Sequence, residues 1–107
     1  MNAQFKKGIL DLCVLALLDK RDRYGYELIQ SISRHVEISE GAVYPVLRRL
    51  MKDGLLTSYL QESSEGPSRK YYSLTSQGRN YLQELMNEWR EFSQGVDQLL
   101  REGVADD

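Results

Sequence analysis

Residues 39–78 constrain the fold more than any other part of this 107-residue chain, because they contain the start and stop signals of successive elements. Ser39 has the side chain of a helix N-cap, and Gly54 suits the left-handed conformation that ends many helices. The sequence therefore predicts a helix over about residues 40–53. Pro45 lies inside it and removes one backbone hydrogen bond, so this helix either starts late or has a distorted first turn.

Two short strand-like runs follow this helix, at residues 55–60 and 70–74, and a polar loop is expected between them at residues 61–69. Thr75 then opens a last helix over about residues 76–102. Helix, β-hairpin and helix in this order are typical of a winged helix-turn-helix, a mainly α fold with a small β-hairpin. Folds of this kind place one helix in the major groove of DNA and let the hairpin contact the adjacent backbone.

The hydrophobic pattern upstream predicts two more helices, over residues 5–19 and 24–35, separated by a charged turn. The chain is then expected to divide into a winged helix-turn-helix domain at residues 1–75 and a C-terminal dimerisation helix at residues 76–107.

The last helix carries apolar residues at alternating steps of three and four, which is the heptad pattern of a coiled coil. A helix this long cannot bury such a row on the core of one small domain, so the pattern predicts a homodimer. The alternative is that the row folds back on the first helix of its own chain. The predicted dimer interface consists of Leu82, Leu85, Trp89, Phe92, Val96 and Leu99.

The net charge of −2 would by itself argue against a DNA-binding protein, but the charges are unevenly distributed. Residues 1–79 carry 12 Lys and Arg against 9 Asp and Glu, whereas residues 80–107 carry 2 against 7. The basic excess therefore coincides with the predicted helix and hairpin rather than with the last helix.

Several function classes are disfavoured by the composition. No apolar run approaches the length of a membrane span, and the single Cys13 cannot form an internal disulfide, so a cytoplasmic protein is expected. His35 is the only histidine, and neither it nor Cys13 has neighbours at metal-ligand spacing, so no metal is expected. Because no nucleophile has a plausible base and no phosphate-binding glycine loop is present, we expect neither an enzyme nor a cofactor.

Three motifs follow one another along the chain. They are Tyr24-Gly25-Tyr26-Glu27-Leu28, then Gly41-Ala42-Val43-Tyr44-Pro45 with Leu47, Arg49, Leu50 and Gly54-Leu55, then Arg69-Lys70-Tyr71-Tyr72-Ser73-Leu74-Thr75 with Gly78. In this order they resemble the PadR family of bacterial transcriptional regulators, over nearly the whole chain. The length resembles that of the short subfamily, which has one C-terminal helix, and the resemblance implies a homodimer that represses its target promoter until a small effector releases it.

Candidate contacts to double-stranded DNA lie on the third helix and the hairpin. Basic side chains there suit phosphates, and the start of the helix is where base edges are usually read. Glu40 either accepts from a cytosine amine or favours the helix N-terminus, and Arg49 either binds phosphate or pairs within the protein. The predicted set is Ser39, Glu40, Gly41, Val43, Tyr44, Arg48, Arg49, Lys52, Ser68, Arg69, Lys70 and Tyr71.

Trp89 is either a packing residue of the heptad row or a ligand contact, because its bulk tends to hold two helices apart. In some short members of the family a tryptophan of the last helix lines a cavity at the dimer centre and stacks on flat aromatic compounds, and the resemblance implies the same place for Trp89 here. The expected effector is planar and apolar or cationic, with Glu88 and Asp11 near the rim. The predicted ligand contacts are Asp11, Leu12, Leu15, Leu82, Leu85 and Trp89.

The sequence leaves two rival functions open. Winged helices also occur in protein-interaction modules that never bind DNA, and a dimer of this kind can instead serve mainly to bind an apolar ligand. Salt-dependent binding to duplex DNA separates the first rival from a regulator, and Trp89 fluorescence tests the second.

Overall fold

The computed structural model describes the backbone of residues 3–105 and the side chains of residues 8–103. Within this range the chain is mainly helical, with one small antiparallel sheet, as the sequence predicts. The elements in chain order are α1 (Ala3–Lys20), β1 (Arg23–Tyr24), α2 (Gly25–Ser33), a short 3-10 helix (Glu40–Ala42), α3 (Val43–Lys52), β2 (Leu56–Ser63), β3 (Gly66–Leu74) and α4 (Ser76–Ala105).

The hairpin is longer than predicted. Its strands β2 and β3 continue through most of the stretch 61–69 that was expected to be a loop, and only two residues separate them. Arg69 and Lys70 therefore lie within β3, opposite Gln61 and Leu60, and not at the tip. The outer arms are exposed on both faces, so they show no apolar alternation, and a polar strand without alternation has the sequence pattern of a loop.

The sheet also contains a strand that the sequence did not predict. The two residues of β1 pair antiparallel with β3, which gives the strand order β1-β3-β2. Arg23 lies opposite Tyr72, and Tyr24 lies opposite Tyr71. A strand of two residues is too short to display a period, and it forms because β3 supplies the partner.

The third helix begins later than predicted and ends where predicted. The Ser39 side chain makes no capping hydrogen bond, and the chain passes through the 3-10 helix before α3 begins at Val43. Pro45 is thus in the first turn of α3, where a missing amide removes no helical bond. Gly54 ends the helix with φ 78°, and Leu55 N donates to Leu50 O at 3.0 Å.

The core lies between the helices and the inner face of the sheet. One buried charge, Asp11, interrupts it among the described residues. The largest fully buried side chains are Leu15, Leu28, Leu47, Leu50, Leu82, Val14 and Val43.

Thr75 connects the end of α3 to the start of α4. Its hydroxyl accepts a hydrogen bond from Gly78 N at 2.9 Å and so caps α4. The same hydroxyl lies 2.9 Å from Gly54 O and 3.0 Å from Leu55 O, to which it can donate. The position of α4 is therefore fixed at its first turn relative to the C-terminus of α3.

Candidate nucleic-acid interface

One face of α3 is exposed along its whole length. Tyr44, Arg48 and Lys52 follow one another at four-residue steps, which places them on the same side of the helix, and all three are exposed. We call these three residues the α3 row. The opposite face is buried in the core, so the helix is held by one side and presents the other to a partner.

The start of this region also reaches the surface, with one exception. Ser39, Glu40 and Gly41 are exposed in and just before the 3-10 helix. Val43 is completely buried, so its predicted contact with DNA is wrong. Val43 lies on the same face of α3 as Val46, Leu47 and Leu50, and that face packs against the core.

Arg49 is not part of the exposed face. Its Nη2 lies 2.6 Å from Oδ1 of Asp11 on α1, and this hydrogen bond raises the pKa of the Arg49 guanidinium. Of the two interpretations that the sequence left open for Arg49, the geometry gives the pairing within the protein. The predicted role of Asp11 at a ligand site is also wrong, because its carboxylate is buried against α3.

The hairpin presents its cations at the surface. Ser68, Arg69 and Lys70 are exposed, whereas Tyr71 is half-buried between two other rings. Tyr71 stacks on Tyr59 at a centroid distance of 5.8 Å and is tilted against Tyr24 at 5.5 Å. Tyr71 is therefore chiefly a packing residue of the sheet, and Arg69 and Lys70 carry the charge.

The two tyrosines beside these cations, Tyr24 and Tyr72, are not in the predicted set of DNA contacts. The Arg69 guanidinium carbon lies 4.6 Å from the ring centroid of Tyr24, and Lys70 Nζ lies 5.7 Å from that of Tyr72. Tyr24 has the sequence pattern of a core position, and the unpredicted strand β1 is what brings it to the hairpin.

A cleft of about 290 Å³, which we call the α1–α4 cleft, opens between helices α1 and α4. Three of its lining residues, Leu12, Leu85 and Trp89, are among the predicted ligand contacts. The other lining residues are Gly8, Ile9, Glu88 and Phe92.

Two further ligand predictions are wrong. Leu15 and Leu82 are almost completely buried in the core, so neither can contact a ligand in this cleft. Leu82 is equally unavailable to a second chain, and its predicted place in a dimer interface is wrong. Leu82 packs against the core of its own chain, as the fold-back alternative expects for this part of the heptad row.

The model of the transcriptional regulator PadR-like family matches residues 14–84, which is more than half of the chain. The chain belongs to this family. An uncharacterised protein of Lysinibacillus sphaericus is 41% identical over 102 residues, covering 92% of this chain and 93% of that protein. A Mycobacterium tuberculosis protein named as a transcriptional regulator is 37% identical, over 76% of this chain and 76% of that protein. The crystal structure of a Bacillus cereus PadR-like transcriptional regulator is 39% identical, with a TM-score of 0.82 over 92% of this chain and 97% of that one.

Membership of the family makes this protein a DNA-binding transcriptional regulator and not an enzyme. Within the part of the chain that the structure describes, no three His, Cys, Asp or Glu side chains are grouped so as to hold a metal ion. No helix in that part is long and apolar enough to cross a membrane.

Proposed function

We propose that this PadR-like protein is a cytoplasmic homodimeric repressor that is released from its operator by a small planar effector. The α3 row carries the proposal, because exposed Arg48 and Lys52 beside Tyr44 form a surface that can follow a DNA groove. Arg69 and Lys70 of the hairpin extend this positive surface toward the adjacent phosphates. Ser39, Glu40 and Gly41 stand at the end of the helix from which base edges are read.

The DNA-binding surface is tested by the salt dependence of binding to a duplex from the chain's own upstream region. Arg48→Ala and Lys52→Ala should each lower the slope of log K against log salt by about 0.9 unit for each phosphate that is no longer neutralised, so by about two units in a homodimer. Arg90→Ala removes an exposed arginine of α4 and serves as the matched control. Slopes that are unchanged in both α3 variants would refute the docking.

The homodimer is proposed from the C-terminal part of α4. Trp89 is 43% exposed and Leu99 is 68% exposed, and the apolar residues between and beside them recur at helical spacing. We call this set the α4 row; it consists of Trp89, Phe92, Val96, Leu99 and Leu100. Because such a row is costly to leave in water, a second copy of the same helix is the simplest partner, and it supplies an identical row.

Sedimentation of the full chain tests the homodimer. Val96→Glu combined with Leu99→Glu should shift the mass from dimer to monomer, because four carboxylates would then face one another in the interface. Gln94→Glu adds a charge to the same helix away from the α4 row and should leave the dimer intact. A Val96→Glu/Leu99→Glu variant that still sediments as a stable dimer would place the interface elsewhere.

The effector is proposed to bind in the α1–α4 cleft against Trp89. The lining is apolar apart from Glu88, and the Trp89 ring meets that of Phe92 edge-on at 6.4 Å, which leaves a flat aromatic surface beside an acidic group. A planar aromatic cation fits this combination better than an aromatic anion.

A pair of naphthyl ligands with opposite charges tests the effector site by quenching of Trp89 fluorescence. Naphthylmethylammonium should bind more tightly than naphthalenesulfonate, and Glu88→Gln should reduce that preference. Glu91→Gln, which alters an exposed carboxylate of the same helix outside the cleft, is the control. Equal affinity for the two compounds in the wild-type protein would contradict a cationic effector.

A further inference from the structure

Another cleft, of about 350 Å³, lies where the start of α2, the start of α3 and strand β3 meet. We call it the tyrosine cleft, because rings make most of its wall and cations complete it. Its side chains are those of Tyr24, Tyr26, Tyr44, Tyr72, Arg69 and Lys70. Among the described residues no acidic side chain lines it, so its charge is positive.

The two cations reach the cleft from opposite faces of the sheet. Arg69 and Lys70 are neighbours in β3, and successive side chains of a strand point to opposite faces. They still line one cleft because β1 ends at Tyr24, opposite Tyr71, so β3 has no strand beside it on that side at residues 69 and 70. Both cations therefore line the same cleft along the open edge of β3, although they come from opposite faces of the sheet.

Each cation is positioned by a ring and lacks an acidic partner. Arg69 lies over Tyr24 and Lys70 lies over Tyr72, as described above, and neither has a carboxylate within 4 Å among the described residues. A cation held over a ring gives up less side-chain freedom when it binds an anion, because part of the ordering is already present.

Tyr44 enters the cleft because residue 25 is glycine. A Cβ at Gly25 would lie 2.9 Å from Cε1 of Tyr44 and 3.4 Å from its hydroxyl oxygen. The Tyr44 ring therefore packs against Gly25, the first residue of α2, more closely than it could pack against a residue with a side chain. This contact directs a residue of the α3 row toward Arg69 and Lys70 of the hairpin.

We propose that the tyrosine cleft binds one phosphodiester group of the duplex DNA backbone. Arg69 and Lys70 donate to the phosphate oxygens from two sides, and the hydroxyls of Tyr26 and Tyr44 donate from the third. The inference rests on the proposed DNA-binding function and adds residues of α2 to it. A phosphate held at the junction of α2, α3 and β3 sets the register of the α3 row in the groove, because all three elements contact the same group.

The test is a scan of single neutral methylphosphonates through a duplex that the wild-type protein has selected from a random-sequence library. At one phosphate in each half-site, the substitution should weaken binding by the wild-type protein roughly tenfold, the effect of removing one charge-assisted hydrogen bond. In Tyr44→Phe and Arg69→Ala the penalty at that same phosphate should shrink, whereas penalties elsewhere should stay. Tyr59→Phe is the control, because the Tyr59 hydroxyl donates to Asp22 at 2.7 Å outside the cleft.

Gly25→Ala provides an independent test, since it removes no polar group and only displaces the Tyr44 ring. It should reproduce the selective effect that Tyr44→Phe shows. If no phosphate has a penalty that the cleft variants relieve, the cleft proposal is wrong while DNA binding stands. If the wild-type protein selects no duplex, the proposed function fails and the cleft proposal fails with it. Micromolar binding of inorganic phosphate alone would make the cleft a free-anion site and would also overturn the proposal.

Discussion

Arg48 and Arg49 are adjacent in sequence, and the structure predicts opposite consequences when each is replaced by alanine. Arg49 shares a 2.6 Å hydrogen bond with Asp11, whose side chain is only 11% exposed, whereas Arg48 lies on the α3 row. Arg49→Ala should therefore lower stability and leave the DNA contacts in place. Arg48→Ala should lower the salt dependence of DNA binding and leave stability within about 0.5 kcal/mol of wild type.

The cost of Arg49→Ala follows from the burial of the two partners. Breaking a fully buried ion pair costs about 3–5 kcal/mol, because a charge is left without a partner, while exposed pairs contribute roughly 0–1 kcal/mol. The Arg49 side chain is 34% exposed, so water can reach Asp11 once the guanidinium is gone. An intermediate loss of about 2 kcal/mol is expected, which corresponds to a fall in Tm of roughly 10 °C for a domain of this size.

Urea unfolding followed by circular dichroism measures this loss, at one fixed protein concentration because the proposed dimerisation would contribute to stability. Asp11→Ala in the Arg49→Ala background should restore part of the stability, because it removes the unpaired carboxylate. The reasoning is refuted if Arg49→Ala unfolds at the same midpoint as Arg48→Ala. It is equally refuted if Arg49→Ala lowers the salt slope as much as Arg48→Ala does.

Two further predictions concern single side chains. Thr75→Val should lower the free energy of unfolding by about 1–2 kcal/mol, because it removes the cap of α4 and the hydroxyl beside Gly54 O, whereas Thr75→Ser should keep most of that stability in the same urea experiment. Burial raises the pKa of the Cys13 thiol, so alkylation by iodoacetamide at neutral pH should be slower than that of free cysteine and should accelerate only at more alkaline pH; a rate equal to that of free cysteine would contradict this.

The sequence predicts the elements that depend on local signals better than those that depend on a partner. Gly54 ends α3 as expected, because the left-handed turn is a property of that residue in its own segment. Strand β1 could not be predicted, because its two residues become a strand only when β3 lies beside them. The pairing of Arg49 with Asp11 has the same character, since 38 residues separate the two side chains in sequence.

Most of the predicted DNA contacts lie at the surface, and the residues that were wrongly placed are those covered by other elements of the fold. Val43 recurs with Val46, Leu47 and Leu50 at the spacing of a core face, so it is buried while its neighbour Tyr44 is exposed. The heptad period of α4 identifies an apolar row but not what covers each part of it, and Leu82 is covered by its own domain. Tyr44, Arg69 and Lys70 were predicted as DNA contacts, but their meeting in one cleft with Tyr24, Tyr26 and Tyr72 was missed. These residues come from three separate motifs that only the folded chain brings together.

Both helices that line the α1–α4 cleft are bonded to α3. On α1, Leu12 faces the cleft while its neighbour Asp11 holds Arg49 of α3. Directly before α4, the Thr75 hydroxyl bonds the carbonyl oxygens of Gly54 and Leu55, which follow the end of α3. A ligand that changes the distance between α1 and α4 must therefore either strain one of these two attachments or carry α3 with one of the helices. In the proposed homodimer that movement would change the separation of the two α3 rows, and rows that dock in successive major grooves must lie about 34 Å apart.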